Sequence, residues 1–195
     1  MAVSRLSKQS IQAGFPKQQT IWDQSTSVAG MDFISGITLT SSQSSITFTS
    51  IPSTYTHLQI RLGYRSSSAA APTAIMPRFN SDTAANYAYH YLKSDGATAT
   101  AGATTSTANG AYLVRSSGSA NTNIFGSAII DILDYTNTNK YKTSRALWGY
   151  DLNGTGQISL SSELWQSTAA ITTIDLYLTG DTAAQYSSFA LYGIK

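Results

Sequence analysis

His57-Leu58-Gln59-Ile60-Arg61-Leu62-Gly63-Tyr64 alternates between two kinds of side chain. Leu58, Ile60, Leu62 and Tyr64 share one side of an extended chain, and His57, Gln59 and Arg61 share the other. This is the pattern of a strand with one face on a core. The same period recurs in both directions. Ser45-Ile46-Thr47-Phe48-Thr49 alternates, and residues 86–93 put Tyr87, Tyr89 and Tyr91 opposite Ala88, His90 and Leu92. Residues 124–132 form a near-continuous apolar run, expected of a central strand buried on both faces. Further strands are expected over 140–150, 157–165, 171–179 and 187–194. Turn chemistry separates them: Pro52-Ser53, Asn80-Ser81-Asp82, residues 134–139, Asn153-Gly154 and Gly180-Asp181. Nine or ten strands without a crossover helix predict an all-β fold, an antiparallel β-sandwich of jelly-roll-like form.

Composition agrees with this reading. The 195 residues include 29 Ser and 25 Thr but one Glu, and only 11% are charged. A helical protein meets water with Glu, Lys and Arg, whereas Ser, Thr, Asn and Tyr suit pleated surfaces and turns. Large apolar residues recur throughout, which excludes disorder for most of the chain. A net charge of +2 is too small to make nucleic acid the expected partner. The chain lacks cysteine, and with it disulfides, thiolate metal sites and a cysteine nucleophile. Neither a signal peptide nor a membrane span of roughly 18 apolar residues is expected.

Two segments depart from the pattern. Residues 1–30 read as an N-terminal arm before a sandwich of residues 31–195. Arg5, Lys8 and Lys17 stand there with Leu6, Ile11, Phe15, Ile21 and Trp22, and no acid precedes Asp23. Spread apolar residues with positive charge suit an attachment element lying on a neighbouring subunit, with Arg5, Leu6, Lys8, Ile11, Phe15 and Trp22 as its contacts. Residues 94–110, SDGATATAGATTSTANG, contain no large apolar side chain and are expected to form a long exposed loop or flap.

Candidate chemistry is sparse. His57 and His90 are the histidines, and neither lies in a nucleophile-elbow context, so strand-surface roles are expected of both. Glu163, Asp131 and Asp134 are the carboxylates to consider as a hydrolytic pair. Asp131 and Asp134, three apart, fall on opposite faces of a strand. Asp151-Leu152-Asn153-Gly154-Thr155-Gly156 resembles the start of a calcium loop, but Ser162 stands where the bidentate Glu belongs. Asn153-Gly154 between two alternating runs favours a hairpin instead. Asn153-Gly154-Thr155 is also a formal glycosylation sequon. Trp148 and Trp165 belong to strands and are expected in a core or an interface, while exposed Tyr and Trp would stack on sugars. No cofactor or metal is expected.

Longer strings carry a resemblance. Residues 50–61 (SIPSTYTHLQIR) are one. Arg78-Phe79-Asn80-Ser81-Asp82 followed by Asn86-Tyr87 is another, as are residues 130–140 (IDILDYTNTNK), 164–171 (LWQSTAAI) and 189–195 (FALYGIK). With Ser4-Arg5-Leu6-Ser7 and Trp22-Asp23, they resemble a family of virion structural proteins of tailed bacteriophages, across most of the chain. Residues 94–110 fall where that family varies. The resemblance implies a non-enzymatic virion protein, expected to decorate or cement the capsid, with other virion proteins as partners and no membrane role. It offers no catalytic residues and leaves head and tail locations open. A tail-fibre or spike module binding host glycans is the alternative. A homotrimer is the assembly favoured by analogy with jelly-roll capsid modules.

Overall fold

The computed structural model describes residues 30–68, 74–116, 118 and 123–195. The proposed arm and its six contact residues lie outside that set. Twelve strands and no helix are found among the described residues. They are β1 (Met31–Thr38), β2 (Ser45–Phe48), β3 (His57–Tyr64), β4 (Ala74–Phe79), β5 (Tyr87–Ser94), β6 (Ala99–Thr107), β7 (Val114–Arg115), β8 (Gly126–Leu133), β9 (Lys142–Asp151), β10 (Gly156–Trp165), β11 (Ile174–Leu178) and β12 (Ser188–Ile194). They form two antiparallel sheets. The larger has the order β1-β12-β3-β8-β9-β10-β5-β6, the smaller β2-β11-β4-β7.

The core lies between the sheets. From the larger sheet, Leu58, Ile60, Leu62 and Tyr64 of β3 and Ala128, Ile130 and Ile132 of β8 are buried. Ile46, Phe48, Ile75, Phe79, Ile174, Leu176 and Leu178 are buried in the smaller one, and all join a single apolar cluster. The alternation of β3 thus has the predicted physical cause. Its odd-numbered members point the other way, to the outer face.

Two sequence expectations are corrected. Residues 94–110 are not a loop: β6 occupies 99–107 and pairs with β5 as an edge strand. An edge strand with little packed on it needs no large apolar side chain, and β-branched Thr suits the extended chain. Asp95 starts the connecting turn, its Oδ1 accepting the N–H groups of Ala97 and Thr98 at 3.0 and 2.8 Å. The Tyr91 ring lies across Gly102 so closely that a Cβ there would stand 2.6 Å from the hydroxyl oxygen. β6 also carries a bulge, with Thr105 and Ser106 opposing the single Ala88 of β5 and Ser106 at φ 57°. The second correction concerns residues 124–132. β8 is buried on one face only, and Ile129 on the other is 42% exposed. The apolar run conceals an alternation because Ile appears on both faces.

β1, β4 and β7 were not anticipated. β4 reads Ala-Ile-Met-Pro-Arg-Phe, with nearly every residue buried and a proline inside. Pro77 is tolerated because two-residue β7 pairs only with Ala74 and Ile75, leaving Pro77 without a ladder partner on that side.

Candidate functional site

The strings behind the family resemblance fold into structural knots. Asp82, in the turn after β4, accepts the indole N–H of Trp165 at 2.8 Å and the amide of Asn86 at 2.9 Å. The Ala84 N–H bonds its other oxygen. Burial alone would raise the Asp82 pKa, but these three donors outweigh it and hold the carboxyl below its ordinary value. Asn80 bridges to the chain before β11: its amide donates to Ala170 O, and its oxygen accepts the N–H groups of Thr172 and Thr173. Phe79, Tyr87 and Trp165 pack ring against ring over this network.

A second knot surrounds Lys142, whose side chain is almost fully enclosed. Its ammonium donates to the carbonyls of Asn137 at 2.5 Å, Lys140 at 3.1 Å and Thr168 at 3.1 Å. Burial, with a lesser effect from Lys140, lowers its pKa. Nearby, Lys140 pairs with Asp134, and the Asp134 N–H donates to His57 Nδ1 at 3.0 Å.

The candidate hydrolytic carboxylates do not converge. Glu163 faces inward from β10, whereas Asp131 lies on the outer face of β8, so the sheet separates them. Asp131 is engaged by Gln59 Nε2 at 2.8 Å and Arg145 Nε at 3.2 Å. Glu163 is enclosed and its carboxyl contacts Ser144 Oγ at 2.6 Å and the Ala111 N–H at 3.2 Å. Burial pushes its pKa up to about 8 against the pull of those two bonds. His90 stands on the outer face between Ser162 and Ala103 of the neighbouring strands.

Asp151 to Gly156 forms the β9–β10 hairpin. Asn153 and Gly154 have φ values of 59° and 123°, as a two-residue type I′ turn requires, and Leu152 N–H bonds Thr155 O at 2.7 Å. Asp151 Oδ1 accepts the Asn153 N–H. Among the described residues, no three potential metal ligands cluster.

The outer face of the larger sheet presents three aligned rows. In the middle one, Ile129, Leu147, Leu160 and Leu92 stand opposite one another on β8, β9, β10 and β5. They are 42%, 55%, 55% and 57% exposed, so an unbroken apolar stripe four strands wide meets solvent. On one side runs a polar row of Gln59, Asp131, Arg145, Ser162 and His90. On the other, Gly63, Ser127 and Gly149 align before Ile158. Lacking bulk, they floor an open trough of about 780 Å³ beside the stripe. Arg61 extends the apolar row toward β12, its guanidinium over the Tyr192 ring, against which Phe33 packs edge-on. Sequence periodicity missed this stripe because its members come from four strands and become one row only through register.

The inner face has a polar, aromatic margin beyond the smaller sheet. Tyr89 and Tyr91 of β5 stack at 6.3 Å, and Tyr112 meets Tyr89 edge-on at 5.9 Å. With Trp148, Lys93 and Arg115 they border a cleft of about 90 Å³. Trp148 and Trp165 are themselves buried, as expected of strand tryptophans. No protein-family model, curated protein or solved structure matches the chain significantly.

Proposed function

We propose that the protein is a non-enzymatic structural component of a bacteriophage virion, a jelly-roll-like module that decorates or cements the capsid surface. The observation carrying this reading is the apolar stripe of Ile129, Leu147, Leu160 and Leu92, left exposed on an otherwise well-formed sheet. Contiguous exposed apolar surface rimmed by polar groups marks a protein interface. Covering the exposed half of each side chain would contribute about 1 kcal/mol, so four in a row favour a lasting contact. The trough floor of small residues admits a partner's side chains, and the adjoining Asp131 and Arg145 offer both signs of charge for register. Neighbouring copies, as a homotrimer, and other virion proteins are the partners. The arm, through Arg5, Leu6, Lys8, Ile11, Phe15 and Trp22, supplies a second attachment.

The test compares the full chain with a double variant, Leu147→Glu with Leu160→Glu, and with a chain lacking residues 1–22. All three should keep a β-rich circular dichroism spectrum. Only the full chain should co-sediment with particles stripped of the native protein. Particle binding by both variants at the level of the full chain would overturn the proposal. Copy number per particle then separates head from tail, hundreds against a dozen or so. A tail-fibre or spike module holding host glycans is the second reading, favoured by the aromatic cleft at β5.

A further inference from the structure

We infer that the cleft bordered by Tyr89, Tyr91, Tyr112, Trp148, Lys93 and Arg115 binds a single sugar ring bearing a carboxylate. The inference rests on the glycan-binding reading and names its ligand class.

The cleft arises from a mismatch between the sheets. Four strands cannot cover eight, and β6 is exposed along nearly its whole length. At that end β7, the edge strand of the smaller sheet, meets β9, and the chain before it reaches β5 through Tyr112 on Tyr89 and β10 through the Ala111 N–H on Glu163. The inner positions of β10 here are Ser159 and Ser161, where β3 and β8 use Leu and Ile. Of the two, Ser161 lines the cleft and makes its floor polar, with Ser159 beneath it. Ser161 Oγ accepts the Trp148 indole N–H at 3.3 Å and lies 3.4 Å from Ser159 Oγ, which donates to Leu92 O at 3.0 Å. A hydroxyl floor exchanges hydrogen bonds with sugar hydroxyls.

The walls suit the other features of such a ligand. Tyrosine faces carry the negative side of the ring quadrupole, against which the C–H face of a pyranose packs. Tyr112 is 38% exposed and Tyr89 half-buried, so ring surface is open to a ligand. Lys93 Nζ stands 5.5 Å from the Tyr91 ring centre. Neither Lys93 nor Arg115 makes an ion pair among the described residues. Asp95 is the acid whose charge reaches Lys93, and its Oδ1 is held by the turn N–H groups. The carboxyl beneath the cleft, Glu163, is enclosed and engaged by Ser144 and Ala111. Two cations beside an aromatic wall favour an anionic ring over a neutral one. The small open cleft can seat only one face of a single ring and offers no groove for a polymer, which argues against single-stranded nucleic acid.

The experiment titrates the full chain at neutral pH with galacturonic acid, N-acetylneuraminic acid, galactose and acetate, using calorimetry and saturation-transfer NMR. At least one acid should bind saturably, with galactose about tenfold weaker and acetate without effect. Tyr112→Ala should weaken the acid about tenfold, and Lys93→Gln should weaken the acid but not galactose. Both side chains are at the surface, and thermal melting of each variant verifies the fold. Equal binding of galactose and the acids would overturn the inference while leaving a glycan site standing. No saturable binding of any sugar, or binding indifferent to both variants, would overturn the inference and remove the support this cleft gives the glycan reading.

Discussion

The two faces of the larger sheet share their strands and differ in nearly everything else. Ile130 and Ile129 are adjacent, chemically identical and in the same strand, yet Ile130 is fully enclosed and Ile129 is 42% exposed. The inner face is filled by facing side chains from β2, β4 and β11. The outer face bears an apolar row, a polar row and a row of small residues, with no described element over them. Hydrophobic character alone therefore does not tell core from uncovered surface in this chain. What separates them is whether a second layer lies opposite.

The most forceful way to break the comparison is to truncate both isoleucines. Ile130→Ala should cost about 2–5 kcal/mol in urea unfolding, because it opens a cavity in a packed core. Ile129→Ala should cost less than about 1 kcal/mol in the isolated subunit, where water reaches that site. Similar losses at both positions would mean that the outer face is covered in solution.

The next effect belongs to Glu163, the acid of the inner face. Its folded pKa of about 8 lies above its ordinary value of 4.5. The unfolded chain therefore releases this proton first. Its contribution to stability is unchanged below pH 4.5, declines between pH 4.5 and 8, and is constant above. Linkage puts the total loss at the order of a few kcal/mol. Glu163→Gln should flatten unfolding free energy over that window, and an unaltered slope would show that other groups set it.

Smaller still is the β9–β10 turn, which both faces share. Gly154 has φ 123°, a conformation costly for any side chain, and Gly154→Ala should destabilise by about 1 kcal/mol on thermal melting. Smallest in stability is Leu147→Glu with Leu160→Glu, expected within about 0.5 kcal/mol each of the parent fold. Its signature is in association: sedimentation should show loss of any self-assembly.

The architecture was legible where strands are amphipathic. β3, β5, β9 and β10 each show the alternation that one buried face imposes, and Asn153-Gly154 marked its hairpin. β4 escaped because an enclosed six-residue strand has no alternation to read. β6 escaped because an edge strand needs no apolar residues, so Thr and Ala resembled a loop. β8 was read as buried twice over because isoleucine serves equally as core and as uncovered surface. The exposed stripe and the tyrosine cleft were not legible at all, since both depend on which strands become neighbours. The strings resembling virion proteins include Asp82, Asn86, Trp165 and Asp134. They are residues that close the fold, and none of them forms a site.

Lys142 has a consequence for the conditions the protein tolerates. Three loop carbonyls converge on its ammonium, the kind of oxygen cage that many extracellular modules fill with calcium. Here the positive charge is tethered to the chain and cannot be extracted. Chelating agents should leave this corner intact, and dilution into ion-poor water should not loosen it. The protein thus carries the cation of this corner with it from one medium to the next.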